Sequence, residues 1–170
     1  MRRLTLMRHA DARWKDAAIS DLERSLSRRG AAAAELMARR LLELELIPEL
    51  VLVSPARRTQ QTAEIVAREL ALPPRRVLRE DSLYLATCAD LLALVQRTGP
   101  RVGHLLVVGH NPGVSELMQH LLAQGKRGAL GTAALCSIGF ECEAWTGIGP
   151  EAVRQVQHAA PPARLFGLFG

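Results

Sequence analysis

The sequence predicts an α/β fold: a three-layer sandwich with a mostly parallel central sheet and helices on both faces. Three observations carry this. Short apolar runs at 4–7, 50–53 and 105–108 read as buried strands. Each is followed by a stretch with apolar residues at helical spacing. Strand and helix then alternate through the first two thirds of the chain, as crossover connections between parallel strands require. The 170 residues are 48% hydrophobic, enough for a full core. No repeat or linker divides them, so a single domain over residues 1–170 is expected.

Leu4-Thr5-Leu6-Met7 forms the first strand, and Arg8-His9-Ala10 follows where the backbone leaves the sheet. Residues 11–16 are polar and turn-like, and 19–26 read as a loop. Ser27 is the expected N-cap of a long helix. Its inward stripe is Ala33, Met37, Leu41 and Leu44, and Pro48 ends it. Residues 50–53 form the second strand. It stops at Ser54-Pro55, read as an N-cap followed by proline at the first helical position. The next helix carries Ala63, Val66, Ala67 and Leu70 inward, with Arg57 and Arg58 in its first turn.

Residues 76–78 predict a short strand leading into Arg79-Glu80-Asp81, with Leu83, Tyr84 and Leu85 beyond. A helix is expected over 90–96, and Gly99-Pro100 breaks it. Residues 105–108 give the clearest strand, ending at Gly109-His110-Asn111-Pro112-Gly113. Asn111 is read as a cap, Pro112 as the first helical residue, and Val114, Leu117, Met118 and Leu121 as the buried stripe. Residues 133–140 and 143–145 are expected to pair antiparallel at a sheet edge. Residues 153–156 suggest one more strand, and a tail with Phe166 and Phe169 is expected to pack on the body.

Composition excludes several classes. The formal charge is +5, from 22 basic and 17 acidic residues. Aromatic residues make up only 4%, too few for base stacking, so a nucleic-acid partner is not expected. An anionic small group fits the scattered arginines better. No apolar stretch approaches the ~20 residues of a membrane span. Arg8 and His9 interrupt the first apolar run too early for a signal peptide, so a cytoplasmic location is expected. Cys88, Cys136 and Cys142 lack zinc-type spacing and read as free thiols. No histidine or carboxylate cluster has ligand spacing, which disfavours a metallohydrolase.

In open α/β sheets, ligands gather at the carboxyl ends of the strands. Three strands here end in candidate groups: Arg8 and His9, residues 54–58, and Gly109-His110. Arginine offers a fixed cation with a fork of donors matched to phosphate oxygens. Neutral histidine is a nucleophile near pH 7. If these strands are neighbours, the pocket traps a phosphoryl dianion and two histidines divide the work. The residues alone leave plainer readings open. His110 could be a turn histidine, one of Arg57 and Arg58 a solvated face, and Glu80 and Asp81 exposed loop acids. His104, His120 and His158 read as structural or solvated.

Three stretches together resemble the histidine phosphatase superfamily. They are Leu6-Met7-Arg8-His9-Ala10, Val53-Ser54-Pro55-Ala56-Arg57-Arg58-Thr59-Gln60-Gln61-Thr62-Ala63 and Val107-Val108-Gly109-His110-Asn111-Pro112-Gly113. The short length, Ala10 and the stretch Asp21-Leu22-Glu23-Arg24-Ser25-Leu26-Ser27-Arg28-Arg29-Gly30 resemble the SixA-type phosphohistidine phosphatases. The resemblance implies a phosphoglycerate-mutase-like fold. It implies that His9 becomes phosphorylated and that Arg8, Arg58 and His110 complete the phosphate pocket. The family spacing from arginine to Gln-Thr selects Arg58 over Arg57. Larger relatives carry glycine after the first histidine and an asparagine further on; here position 10 is Ala and no asparagine lies nearby.

No motif fixes the proton donor, and Asp81, Glu80 and Asp11 are candidates in that order. No metal or cofactor is implied. The expected enzyme is a phosphatase acting on a protein-borne phosphohistidine. The alternatives are a small-molecule phosphomonoesterase of the same superfamily and a non-catalytic phosphate-binding module. No oligomeric state is legible.

Overall fold

Six strands lie in one sheet in the order β3-β2-β4-β1-β5-β6, in a computed structural model that describes residues 1–14 and 16–163. They are β1 (Arg2–Arg8), β2 (Leu50–Val53), β3 (Val77–Arg79), β4 (His104–Gly109), β5 (Leu135–Phe140) and β6 (Val153–Ala159). The helices are α1 (Arg28–Glu43), α2 (Arg57–Glu69), α3 (Cys88–Gln96) and α4 (Gly113–Leu121). β1, β2, β3 and β4 run parallel to their neighbours among these four, and β5 and β6 are antiparallel. The expected three-layer sandwich is therefore the observed one.

The layers follow from period-two alternation along the strands. Leu105 and Val107 of β4 face the core shared with Val114, Leu117 and Leu121 of α4 and with Leu91 and Val95 of α3. Leu106 and Val108 face the other core, with Ala33, Met37 and Leu41 of α1 and Ala63 and Val66 of α2. All six residues of β4 are buried, as a strand covered on both faces must be. Ser27 caps α1, its Oγ accepting from the Gly30 backbone N–H at 3.0 Å. The helix ends at Glu43, before Pro48, because Glu45 turns into the left-handed region at φ 56°.

Four local expectations are corrected. Ser54 does not cap α2; Ala56 occupies that position and the helix starts at Arg57. Asn111 does not cap α4 either, since Pro112 precedes Gly113 there and the Asn111 carboxamide oxygen accepts from Ser115 Oγ. Residues 143–145 are not a strand. β5 pairs with β1 on one side and β6 on the other, so β5 is interior and β6 is the edge. Finally, α3 starts at Cys88, before residue 90, because Thr87 and Asp90 form a reciprocal capping box. Phe166 and Phe169 lie outside the described residues.

Two close approaches tie loops to helices. A Cβ at Gly30 would lie 2.0 Å from the Asp11 carbonyl oxygen, and one at Gly113 would lie 2.3 Å from that of Ala86. Only glycine lets α1 and α4 start against these segments.

Candidate active site

Strand register brings the candidate groups level. Arg8 pairs with Gly109, and Val53 pairs with Val108, so β1, β2 and β4 end together. His9 then leaves the sheet with its backbone N–H bonded to the Gly109 carbonyl at 3.0 Å. Its carbonyl accepts from Ala133, and the next residue, Ala10, donates to Thr62 Oγ1 on α2 at 3.0 Å. The backbone carrying His9 is thus fixed from three sides.

The rings of His9 and His110 meet with centroids 5.3 Å apart. His9 Nδ1 lies 2.8 Å from the Ala10 carbonyl oxygen, which only accepts. Nδ1 therefore carries the proton, and the lone pair is on Nε2. His110 is held at both nitrogens. Its Nδ1 lies 3.3 Å from Arg58 Nη2, which only donates, so Nδ1 is the acceptor. Its Nε2 then carries the proton, donated to Ser54 Oγ at 2.6 Å. The Ser54 hydroxyl, which also accepts from the Ala56 backbone N–H at 3.3 Å, thus orients a histidine 56 residues away.

Arg58 is 5% exposed while its neighbour Arg57 is exposed, which separates the two arginines physically. Arg58 Nη1 and Nη2 also donate to the carbonyl and carboxylate of Asp21, at 2.7 and 3.0 Å. Arg8 reaches the Leu130 carbonyl at 3.4 Å, but its buried Nε has no hydrogen-bond partner among the described residues. A buried guanidinium N–H without a partner is costly, so an anion beside Arg8 is favoured.

Both histidines are held neutral. Burial is the main cause for His9, lowering it to about 4; Arg58, Arg8 and Arg24 add to this against the Ala10 hydrogen bond. The guanidinium groups alone are therefore not the leading cause. Burial lowers His110 to about 3, reinforced by His9 and Arg58 and opposed by Asp21. A neutral His9 with a free Nε2 is a ready nucleophile.

The candidate acids are placed differently. Asp81 is paired with Arg79 at 2.7 Å, and its side chain is 75% exposed. Glu80 accepts from the Ser82 backbone and hydroxyl. Asp11 accepts from Ser27 Oγ and pairs with Arg29. Among the described residues, no hydrogen bond or ion pair joins any of the three side chains to His9, Arg58 or His110.

Two residues at the site were not singled out for it by sequence. Asp21 holds Arg58, and Tyr84 donates to Asp21 Oδ2 at 2.6 Å while its ring meets His110 edge-on at 5.6 Å. Tyr84 is the chain's one tyrosine, three residues after Asp81, and that was the available signal.

A model of the histidine phosphatase superfamily (branch 1) matches residues 4–81. The phosphohistidine phosphatase SixA of Escherichia coli (strain K12) is 36% identical over 138 residues, covering 78% of this chain and 82% of that protein. A solved structure of the protein histidine phosphatase SixA complexed with tungstate superimposes with a TM-score of 0.75 at 28% identity. It covers 91% of this chain and 96% of that one. The mycobacterial glucosyl-3-phosphoglycerate phosphatase shares the fold, with a TM-score of 0.67 at 18% identity over 94% of this chain and 98% of that one.

Proposed function

The chain belongs to the histidine phosphatase superfamily, and on that premise we propose that it hydrolyses protein phosphohistidine through a phosphorylated His9. The observation that carries the proposal is the meeting of two neutral imidazoles, His110 buried and His9 half-buried, with Arg58 and Arg8 at the level ends of three strands. Arg8 and Arg58 hold the phosphoryl oxygens. His9 Nε2 attacks phosphorus in line, forming a new N–P bond as the bond to the leaving group breaks. Negative charge spreads over the equatorial oxygens, and Arg8, Arg58 and His110 face it. The arriving dianion favours the cationic form of His110; its Nδ1 then releases the bond from Arg58 Nη2 and donates to a phosphoryl oxygen, while Nε2 stays bonded to Ser54 Oγ. Water next attacks phosphorus, breaks the His9 N–P bond and releases inorganic phosphate.

The placement of the acids favours a phosphohistidine substrate over a phosphate ester. An alkoxide needs a proton as it leaves, and imidazole leaves more readily. Asp81 and Asp11 are each engaged by an arginine, and Glu80 accepts from Ser82. None is bonded into the pocket in a way that presents a proton.

The test is a substrate panel containing a phosphohistidine peptide, sugar phosphates and nucleotide monophosphates, run beside His9→Ala. The expected result is highest kcat/KM on the phosphohistidine peptide and an acid-labile phosphoryl label on His9. Faster turnover of the esters would overturn the substrate assignment. Absence of label with full turnover would overturn the mechanism.

A further inference from the structure

Asp21 already engages the donors that a phosphoryl group would need. Both terminal nitrogens of Arg58 donate to this one residue, Nη1 to its carbonyl and Nη2 to Oδ2, while Nη2 also donates to His110 Nδ1. Oδ1 accepts from Arg24 Nη1 at 3.1 Å, and Oδ2 accepts a second time, from the Tyr84 hydroxyl. One carboxylate oxygen, Oδ2, thus holds an Arg58 donor that a charged phosphate oxygen would also seek. These bonds, Tyr84 first, hold the Asp21 carboxyl well below its ordinary range, so it stays an anion.

The two partners differ in exposure, and that difference matters. The Arg58 side chain is 6% exposed, while that of Asp21 is 35% exposed. A buried guanidinium is costly to leave without an anion. A partly hydrated carboxylate can give up its half of the pair at little cost. Building on the phosphate-site reading above, we propose that Asp21 is an internal counter-anion that competes with phosphate for Arg58. Tyr84 sets the strength of that competition by sharing the same carboxylate oxygen. Asp21 satisfies Arg58 when the pocket is empty, yields it to the phosphoryl group, and takes it back as inorganic phosphate leaves. Both residues are thus affinity-setting, and neither transfers a proton or a bond.

The proposal predicts opposite signs for two substitutions. Asp21→Asn removes the competing charge but keeps the backbone carbonyl that holds Arg58 Nη1, so Arg58 stays in place. Tyr84→Phe keeps the ring against His110 but frees Oδ2, leaving the carboxylate a stronger partner for Arg58. The experiment measures the affinity of the full chain for inorganic phosphate, by titration calorimetry and as a competitive inhibitor. Asp21→Asn should bind phosphate roughly two- to fivefold more tightly than wild type. Tyr84→Phe should bind it more weakly, and this effect should vanish in the Asp21→Asn background. Asp21→Ala, which also keeps the carbonyl, should agree in sign with Asp21→Asn. Weaker or unchanged phosphate binding in both Asp21 variants would overturn the counter-anion role. Wild-type protein that binds no phosphate would overturn the phosphate-site reading itself, and this inference with it.

Discussion

Two histidines sit at opposite ends of β4, His104 at its start and His110 just past its last residue. Both are buried, at 8% and 6% exposure, and burial is the main cause that holds each below its ordinary pKa, at about 4 and about 3. By these measures they are near twins. Their partners separate them. His104 bonds Thr5 Oγ1 at 2.8 Å and the Ile47 carbonyl at 3.1 Å, and Thr5 is bonded in turn to Ser137. Arg3 reaches the far end of this set, donating to Ser137 Oγ at 3.4 Å, but no guanidinium bonds the His104 ring itself among the described residues. His110 is bonded by a guanidinium, faces a second imidazole and feels a second arginine, Arg8, whose Nε has no partner among the described residues. A buried histidine with a perturbed pKa is therefore not evidence of chemistry by itself. Converging cations with spare donors are what distinguish the candidate site.

This contrast can be broken or sharpened by experiment. The largest effect is expected from His9→Ala, which should lower turnover by at least about 10⁴-fold, since no other group supplies the nucleophile. Near-wild-type turnover by that variant would sink the proposed mechanism. Arg58→Ala should lower kcat/KM by roughly 10²–10³-fold, as the loss of a charge-stabilising donor does. Steady-state kinetics on the same phosphopeptide would measure both.

Acid should then act on both ends of β4 together. The unfolded histidines titrate near 6.5, while His9, His104 and His110 titrate at about 4, about 4 and about 3 in the fold. Between those values the unfolded chain binds more protons, so stability falls as pH falls. Their contribution is complete above about pH 6.5 and is lost progressively toward pH 4 and below. Urea midpoints measured from pH 7 to pH 4 should decline, and a flat profile would contradict the buried neutral state.

His104→Ala should cost roughly 2–4 kcal/mol of stability, by leaving the Ile47 carbonyl unpaired and opening a cavity. Turnover per folded molecule should stay at the wild-type level, in contrast to any change at His110. A loss of kcat without a loss of stability would erase the distinction between the two. The smallest effect is expected from Ser54→Ala, which removes the ring-orienting bond and the longer bond from the Ala56 backbone N–H and should lower kcat about fivefold, or about 1 kcal/mol.

The same contrast explains what the sequence could tell. β4 and α4 were legible because their apolar positions are dense and their periods differ. Arg8, His9, the pair Arg57 and Arg58, and His110 were legible as candidates because they follow strands, whose ends are where ligands gather in this fold class; the choice of Arg58 over Arg57, and a phosphate role for His110, came from the family resemblance. Ser54 was misread because Ser-Pro before a helix is a local capping signal. Its actual partner is His110, and nothing local records that. β6 was underestimated because Arg154, Gln155 and His158 interrupt its apolar pattern, as an edge strand permits. Residues 143–145 looked like the hairpin partner of β5 because nearness in sequence favoured them. Asp21 and Tyr84 escaped notice as site residues because carboxylate and phenol reach Arg58 and His110 from loops with no periodicity to read.

The close approaches at Gly30 and Gly113 have a consequence for inherited variation. Neither position carries a side chain, yet an added methyl at either would push directly on the main chain of Asp11 or of Ala86. Asp11 lies two residues from His9, and Ala86 two residues from Tyr84. Conservative-looking alleles at these two sites should therefore behave as null alleles of the reaction, and a mutational survey would wrongly credit both glycines with chemistry that belongs to their neighbours.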